Sequence, residues 1–140
     1  MSAQLYTTDI LRLAASLQEP RQLDREDGRA EVRSPTCGSR IWMSVQLDDD
    51  RRVEHVSMQV HACAFGQASA ALVERHCRGR DHDQVSEAML ALSRWLANEH
   101  NEIDHWPGIA VLEPGRGTSG RHGAILLPFR ALLAAMEDAR

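Results

Sequence analysis

The 140-residue chain carries sixteen basic residues, all of them arginine, against twenty acidic ones, which gives a formal net charge of −4. The absence of lysine excludes Schiff-base chemistry and phosphate-binding loops that require a lysine. The acidic balance argues against a nucleic-acid-binding protein, which normally has a basic surplus. The length and the 43% content of hydrophobic residues predict one globular domain spanning residues 1–140.

Three features predict a cytoplasmic protein without a membrane partner. The most apolar stretch, residues 124–136, is interrupted by Arg130 and is shorter than the ~20 residues needed to cross a bilayer. The N-terminus shows no secretory signal. The three cysteines are odd in number and lack a close-paired framework, which is typical of a reducing compartment and predicts free thiols.

The first half of the chain predicts one helix followed by three strands. Apolar residues at helical spacing follow a cap at Thr7 or Thr8, and the polar residues 18–28 are predicted to form a loop. A short strand is predicted over residues 29–33. Two further antiparallel strands, joined by a charged turn at residues 48–51, are predicted from alternating apolar residues. These are Ile41, Met43, Val45 and Leu47 in one strand and Val56, Met58 and Val60 in the next.

The second half predicts three helices and one irregular segment. A helix of small residues covers 64–77 and is expected to stop near Gly79, and Asp83 is predicted to cap the next helix. Residues 98–120, with two prolines and four glycines, are predicted to be irregular. A final helix runs from His122 to about Ala139, with Pro128 tolerated only near its first turn. Strands followed by helices predict an α+β fold, a small antiparallel three-stranded sheet with helices packed on one face.

Three residues are candidates for chemistry. Cys37 lies in the turn SPTCGS at residues 34–39, where backbone N–H groups can stabilise a thiolate. Cys63 lies where a strand meets a helix, so that the helix dipole favours its thiolate. His122 begins the last helix, where an imidazole can act as a metal ligand or proton carrier. Each also has a plainer interpretation: an inert turn cysteine, a small buried hydrophobe and a solvent-exposed histidine. Cys77 is interpreted as a packing or surface residue.

The spacing of these candidates does not by itself establish a metal site. It differs from the paired CxxC motifs of zinc fingers. An enzyme with Cys63 as nucleophile and His61 or His122 as base is a further possibility. No Asp or Asn that would orient such a base can be named from the sequence.

The motifs resemble those of the U-type iron–sulfur cluster assembly scaffolds, the family that includes IscU, SufU and the N-terminal part of NifU. The turn at residues 34–39 is similar to the family's N-P-x-C-G-D turn. The segment ACAFGQASA at residues 62–70 is similar to its second cysteine motif, which leads into a helix of small residues. RGR at residues 78–80 resembles the family's basic-Gly-basic helix end, and HGAILLPFRAL at residues 122–132 resembles its final segment.

The resemblance implies a non-enzymatic scaffold of the same α+β fold. The family's ligands are Cys, Asp, Cys and Cys, with a histidine beside the last cysteine in one branch. Here Ser39 stands at the aspartate position and Gly123 at the third cysteine position. Cys37 and Cys63 remain, and His122 stands where the family has its histidine. The implied site is therefore Cys37, Cys63 and His122, which suits iron, zinc or a labile iron–sulfur cluster.

The resemblance also implies a cysteine desulfurase and cluster-acceptor proteins as partners. The fourth ligand is left open between Ser39, water, another protomer and a small thiol. Because two of the usual ligands are missing, an alternative is a degenerate protein, binding zinc or no metal, that regulates a cysteine desulfurase.

Overall fold

The computed structural model describes residues 6–35, 38–101 and 104–139. Along the chain, one helix is followed by three strands and then by three further helices. These elements are α1 Thr8–Ala15, β1 Gly28–Arg33, β2 Arg40–Leu47, β3 Val53–His61, α2 Ala64–His76, α3 His82–Leu96 and α4 His122–Asp138. Two short 3-10 helices, Ile109–Gly115 and Ser119–Arg121, lead into α4. The first helix begins as predicted, because the Thr7 side chain accepts a hydrogen bond from the Ile10 N–H.

The three strands form one antiparallel sheet in the order β1-β2-β3. Ile41 of β2 lies between Val32 of β1 and Val60 of β3, on the face that is buried. Since side chains alternate along a strand, the neighbouring Trp42 lies on the opposite face, where it pairs with Gln59. The alternation read from the sequence therefore correctly identified the buried face of the sheet.

The helices cover one face of this sheet, as the sequence predicted. Helix α4 packs on β1 and β2, and α2 packs on β3 while also contacting α1 and α4. Helix α3 packs on α4 as an outer layer. The α+β prediction is confirmed. Among the described residues, no helix combines the length and the apolar composition that a membrane crossing needs.

The start of α3 differs from the prediction. Asp81, not Asp83, is the cap: its carboxylate accepts from the Gln84 N–H, and the Gln84 side chain accepts from the Asp81 N–H, both at 2.9 Å. Asp83 lies within the first turn. This reciprocal pair is a capping box, which requires an acceptor three residues after the cap. Gln84 satisfies that requirement for Asp81 and not for Asp83.

The segment predicted as irregular is partly helical and contributes to the core. Ile109 and Leu112 in the longer 3-10 helix are fully buried, as is the preceding Trp106. The Trp106 indole N–H donates to the Leu72 carbonyl of α2 at 2.9 Å, and its ring lies edge-on to Phe129 of α4 at 5.0 Å. Long-range packing, which local turn signals do not report, therefore orders this segment.

Pro128 is well inside α4, so the expectation that it is tolerated only near the first turn is wrong. Proline lacks the N–H that would bond to the Ala124 carbonyl. The helix persists because it is buried on several sides: Ile125, Leu127 and Phe129 are each 0% exposed. Burial of this kind outweighs the loss of one backbone hydrogen bond.

Candidate metal centre

Three separate segments of the chain meet around a small cavity at one end of the sheet. The cavity has a volume of about 160 Å³. It is lined by the turn after Cys37, by the end of β3 and the start of α2, and by the residues around the start of α4. The lining residues are Gly38, Ser39, His61, Ala62, Cys63, Gly120, Arg121 and Ala124. The motifs that are far apart in sequence thus converge on one site.

Cys63 occupies the cap position of α2. Its backbone is extended (φ −68°, ψ 174°), its thiol makes no capping hydrogen bond, and its carbonyl accepts from the Gln67 N–H at 3.0 Å. The side chain is half-buried. The thiol therefore lies at the N-terminal end of α2, in the wall of the cavity.

The turn that contains Cys37 is described on both sides of that residue, whereas Cys37 itself lies outside the described residues. The Ser34 N–H donates to the Ser39 carbonyl at 2.9 Å, and the Gly38 N–H donates to the Ser34 carbonyl at 3.1 Å. These bonds close the turn between β1 and β2. Gly38 and Ser39 then line the cavity beside Cys63. The role of Cys37 as a ligand stays a prediction.

His122 begins α4, as predicted, but its ring is held outside the cavity lining. Its Nε2 lies 3.1 Å from the Gly115 carbonyl oxygen and 3.0 Å from that of Arg116. Carbonyl oxygens only accept hydrogen bonds, so Nε2 carries the proton and, in the neutral ring, Nδ1 carries the lone pair. The adjacent Arg121 lines the cavity, whereas His122 does not. Ligation by His122 therefore also stays a prediction.

His61 is the histidine that lines the cavity together with Cys63. From the sequence, His61 was predicted only as a possible base for Cys63 and not as a ligand. Its ring lies 5.1 Å from the Trp42 ring in an edge-on arrangement, and its Nε2 lies 3.2 Å from Gln59 Nε2. The signal in the sequence was the position of His61 two residues before Cys63, where β3 ends.

The third cysteine, Cys77, lies at the opposite end of α2 from Cys63 and the cavity. Cys77 ends α2, is 2% exposed, and burial raises the pKa of its thiol to about 12. Its interpretation as a packing residue fits this environment. A thiol with so high a pKa is protonated at neutral pH and is a poor metal ligand.

The donors available at the cavity are of the kind that soft and borderline metals prefer. The described lining residues offer a thiol, an imidazole, the Ser39 hydroxyl and the Arg121 guanidinium, and they include no carboxylate. Thiol and imidazole donors suit zinc and iron–sulfur clusters, whereas calcium and magnesium require oxygen ligands. Within the described ranges, no three His, Cys, Asp or Glu side chains are grouped as a preformed metal site; Cys37 falls outside those ranges.

Comparisons with known proteins found relatives in sequence and in structure. A model of the NifU-like N-terminal domain family matches residues 5–96. The protein named zinc-dependent sulfurtransferase SufU, from Bacillus subtilis (strain 168), is 28% identical over 91 residues. Those residues are 64% of this chain and 58% of that protein, so the alignment spans a little over half the length of the relative.

Two solved structures have the same fold over nearly the whole chain. The N-terminal part of a nitrogen-fixing NifU-like protein from Brucella abortus has a TM-score of 0.86 at 29% identity, covering 96% of this chain and 94% of that one. A SUF-system scaffold protein, described as putative, from Fervidobacterium islandicum AW-1 has a TM-score of 0.83 at 17% identity, covering 94% and 96%. At that lower identity the likeness concerns the fold alone. Because the family model matches well over half of the sequence, the chain belongs to the family of NifU-like N-terminal domains.

Proposed function

We propose that this protein is an iron–sulfur cluster assembly scaffold that binds iron, zinc or a labile cluster through Cys37, Cys63 and His122. The observation that carries the proposal is the shared cavity. Cys63 lies in its wall together with Gly38 and Ser39, which directly follow Cys37. Family membership and the soft character of the donors support the same role.

The surroundings of the cavity suit a negatively charged cargo. Two metal-bound thiolates and sulfide carry negative charge, and Arg121 at the cavity wall supplies a compensating positive charge. The two backbone carbonyls that accept from His122 Nε2 fix that ring in the tautomer whose Nδ1 can bind a metal. Metal-binding histidines are usually anchored through the other nitrogen in this way.

The proposed partners are a cysteine desulfurase, as the source of sulfur, and proteins that accept the finished cluster. Cys63 is half-buried and lies at a cavity open to the surface, so a partner's side chain can reach it. The Bacillus subtilis relative is named a sulfurtransferase. Sulfur transfer to a thiol of this chain should therefore be tested beside cluster binding, although we expect a scaffold role without catalytic turnover.

Anaerobic reconstitution tests the scaffold proposal. We expect the intact protein, incubated with ferrous iron and sulfide, to bind iron and develop a visible sulfur-to-iron absorption band. Cys37→Ser and Cys63→Ser should each lose most of the band, because each removes a thiolate ligand. Cys77→Ala is the matched control and should keep it, since Cys77 is buried away from the cavity. An intact protein that binds neither iron nor zinc would refute the proposal.

The alternative role as a regulator of a desulfurase follows from the residues at two family ligand positions. Gly123 has no side-chain donor, and Ser39 is 4% exposed and lacks a carboxylate. A metal-free protein that changes the turnover of a purified cysteine desulfurase would favour this alternative. Iron or sulfide in the freshly purified protein would favour the scaffold role, whereas zinc alone fits both roles and leaves the desulfurase assay to separate them.

A further inference from the structure

The outer edge of strand β3 carries backbone groups that the sheet does not use. The Val45 carbonyl of β2 accepts from the Asp27 N–H at 2.9 Å, so the backbone groups of Val45 are directed towards β1. Because this direction alternates along a strand, the same holds for the residues two and four positions earlier in β2. Those residues pair with Met58 and Val60 of β3, whose N–H and C=O groups therefore point away from β2.

The start of this edge is already covered, whereas its end is open. The Val53 N–H donates to the Arg80 carbonyl at 2.9 Å, and the Val53 carbonyl accepts from the Gly79 N–H at 2.8 Å. The backbone groups of Met58 and Val60 on this edge have no hydrogen-bond partner within the described part of the chain, although Met58 is only 2% exposed. Buried backbone groups are nearly always paired with protein or with water. These groups are therefore suited to pair with an additional strand.

A groove of about 420 Å³ lies beside these unpaired groups. Met58 and Val60 line one of its walls, at the end of β3. Ala14, Leu17 and Pro20 line the other wall, which is formed by the end of α1 and the segment that follows it. The groove is therefore largely apolar, and one of its walls is the edge of the sheet.

We infer that this groove binds an extended peptide segment of a partner protein, which adds to the sheet beside β3. Strand addition of this kind takes its affinity from main-chain hydrogen bonds and its specificity from pockets for alternate side chains. The apolar wall favours small or apolar side chains in the segment. The described lining includes the exposed carboxylate of Glu19 and no arginine, which favours a lysine or arginine at the rim. His61 lines both this groove and the cavity that contains Cys63, so the bound segment lies next to the proposed metal centre.

Selection from a random-peptide library displayed on phage, against the full-length chain, tests the inference. We expect the enriched sequences to have apolar residues at alternate positions and a lysine or arginine. A labelled synthetic copy of an enriched sequence then gives the dissociation constant by fluorescence anisotropy. Val60→Pro should weaken its binding by about tenfold, because the segment loses a backbone donor while the bonds between β2 and β3 remain.

Glu31→Pro is the matched control for this variant. The neighbouring Val32 pairs with Ile41 on the side where β1 and β2 are bonded, so the N–H of Glu31 faces the opposite edge of the sheet. Proline is tolerated at such edge positions, and this variant should bind the peptide as the wild type does. Circular dichroism and thermal melting check that both variants fold.

Amide hydrogen exchange of the wild type distinguishes strand addition from binding through side chains alone. The peptide should slow exchange of the Val60 N–H and leave that of Gln59, which already bonds to β2, unchanged. Failure to enrich any sequence, equal affinities of Val60→Pro and Glu31→Pro, or unchanged exchange at Val60 overturns the inference. A wild-type dimer that Val60→Pro converts to a monomer also overturns it, because a second copy would then occupy the edge. Peptide binding of the expected kind by a chain that binds neither iron nor zinc supports this inference and refutes the scaffold proposal.

Discussion

Cys63 and Cys77 lie at opposite ends of α2 in opposite chemical environments. Cys63 precedes the positive end of the helix and is half-buried at the cavity. Cys77 follows the other end, beside the carbonyl oxygen of Glu74 at 3.8 Å, and burial raises the pKa of its thiol to about 12. The same helix therefore separates a thiol available for chemistry from one that only packs.

This contrast predicts selective alkylation of the metal-free native protein. At pH 8, iodoacetamide should modify Cys63 and leave Cys77 unmodified, because the reagent attacks accessible thiolates. Peptide mapping by mass spectrometry assigns each product to its cysteine. In concentrated urea Cys77 should become reactive as well, which serves as the control. Modification of Cys77 in the native state as fast as that of Cys63 would contradict the structure.

At the level of single residues, the sequence could identify Cys63 but not the imidazole beside it. The change from a strand pattern to a helix pattern around Cys63 is local in the sequence. It places Cys63 at the N-cap of α2. His61 was harder to assign because it is an exposed histidine at the end of a strand, a position with no local sign of a role. Its significance comes from the cavity, whose opposite wall is formed by Gly120 and Arg121. No local pattern reports a contact over that sequence distance.

Among the elements, α3 depends on its capping box. Removing a capping side chain costs about 1 kcal/mol. Asp81→Ala should therefore lower the free energy of unfolding by about that amount and the melting temperature by about 2–5 °C. Asp83→Ala removes a carboxylate from the same turn that accepts no capping bond, and it should change stability by less. Equal effects of the two variants in thermal or urea unfolding would show that the box does not stabilise the helix.

The elements also show which parts of the fold local patterns could predict. The period-2 alternation of β2 and the apolar stripe of α3 were sufficient, because each element buries one face. The 3-10 helix at Ile109–Gly115 and the interior Pro128 of α4 were not predictable in this way. Both exist against local preference, since the core formed with α2 and the sheet stabilises them. Tertiary packing of this kind leaves no periodic trace in the sequence.

On the scale of the whole molecule, the packing of α2 against α4 joins two walls of the cavity, the one at the start of α2 and the one at the start of α4. The buried hydroxyl of Ser69 in α2 donates to the Ile125 carbonyl of α4 at 2.6 Å. One turn earlier, Gly66 allows close approach: a Cβ built there would lie 2.6 Å from the Ala62 Cβ and 3.4 Å from the Ala124 Cβ. Ala62 and Ala124 both line the cavity. The absence of a side chain at Gly66 therefore affects both the packing of α2 against α4 and the positions of two residues that line the cavity.

Gly66→Ala should consequently weaken both the fold and the site. A Cβ contact at 2.6 Å forces the backbone before α2 away from the helix, and overpacking of this kind costs about 1–3 kcal/mol. The same displacement moves Cys63 relative to Arg121, so zinc affinity should fall together with the melting temperature. Gly117→Ala is the control, because nothing lies within 4 Å of a Cβ at that position. If Gly66→Ala lowers the melting temperature but binds zinc as tightly as Gly117→Ala, the helix contact stabilises the core without fixing the cavity. In that case the metal site would be held together by its own ligands, and it would tolerate movement of α2 against α4.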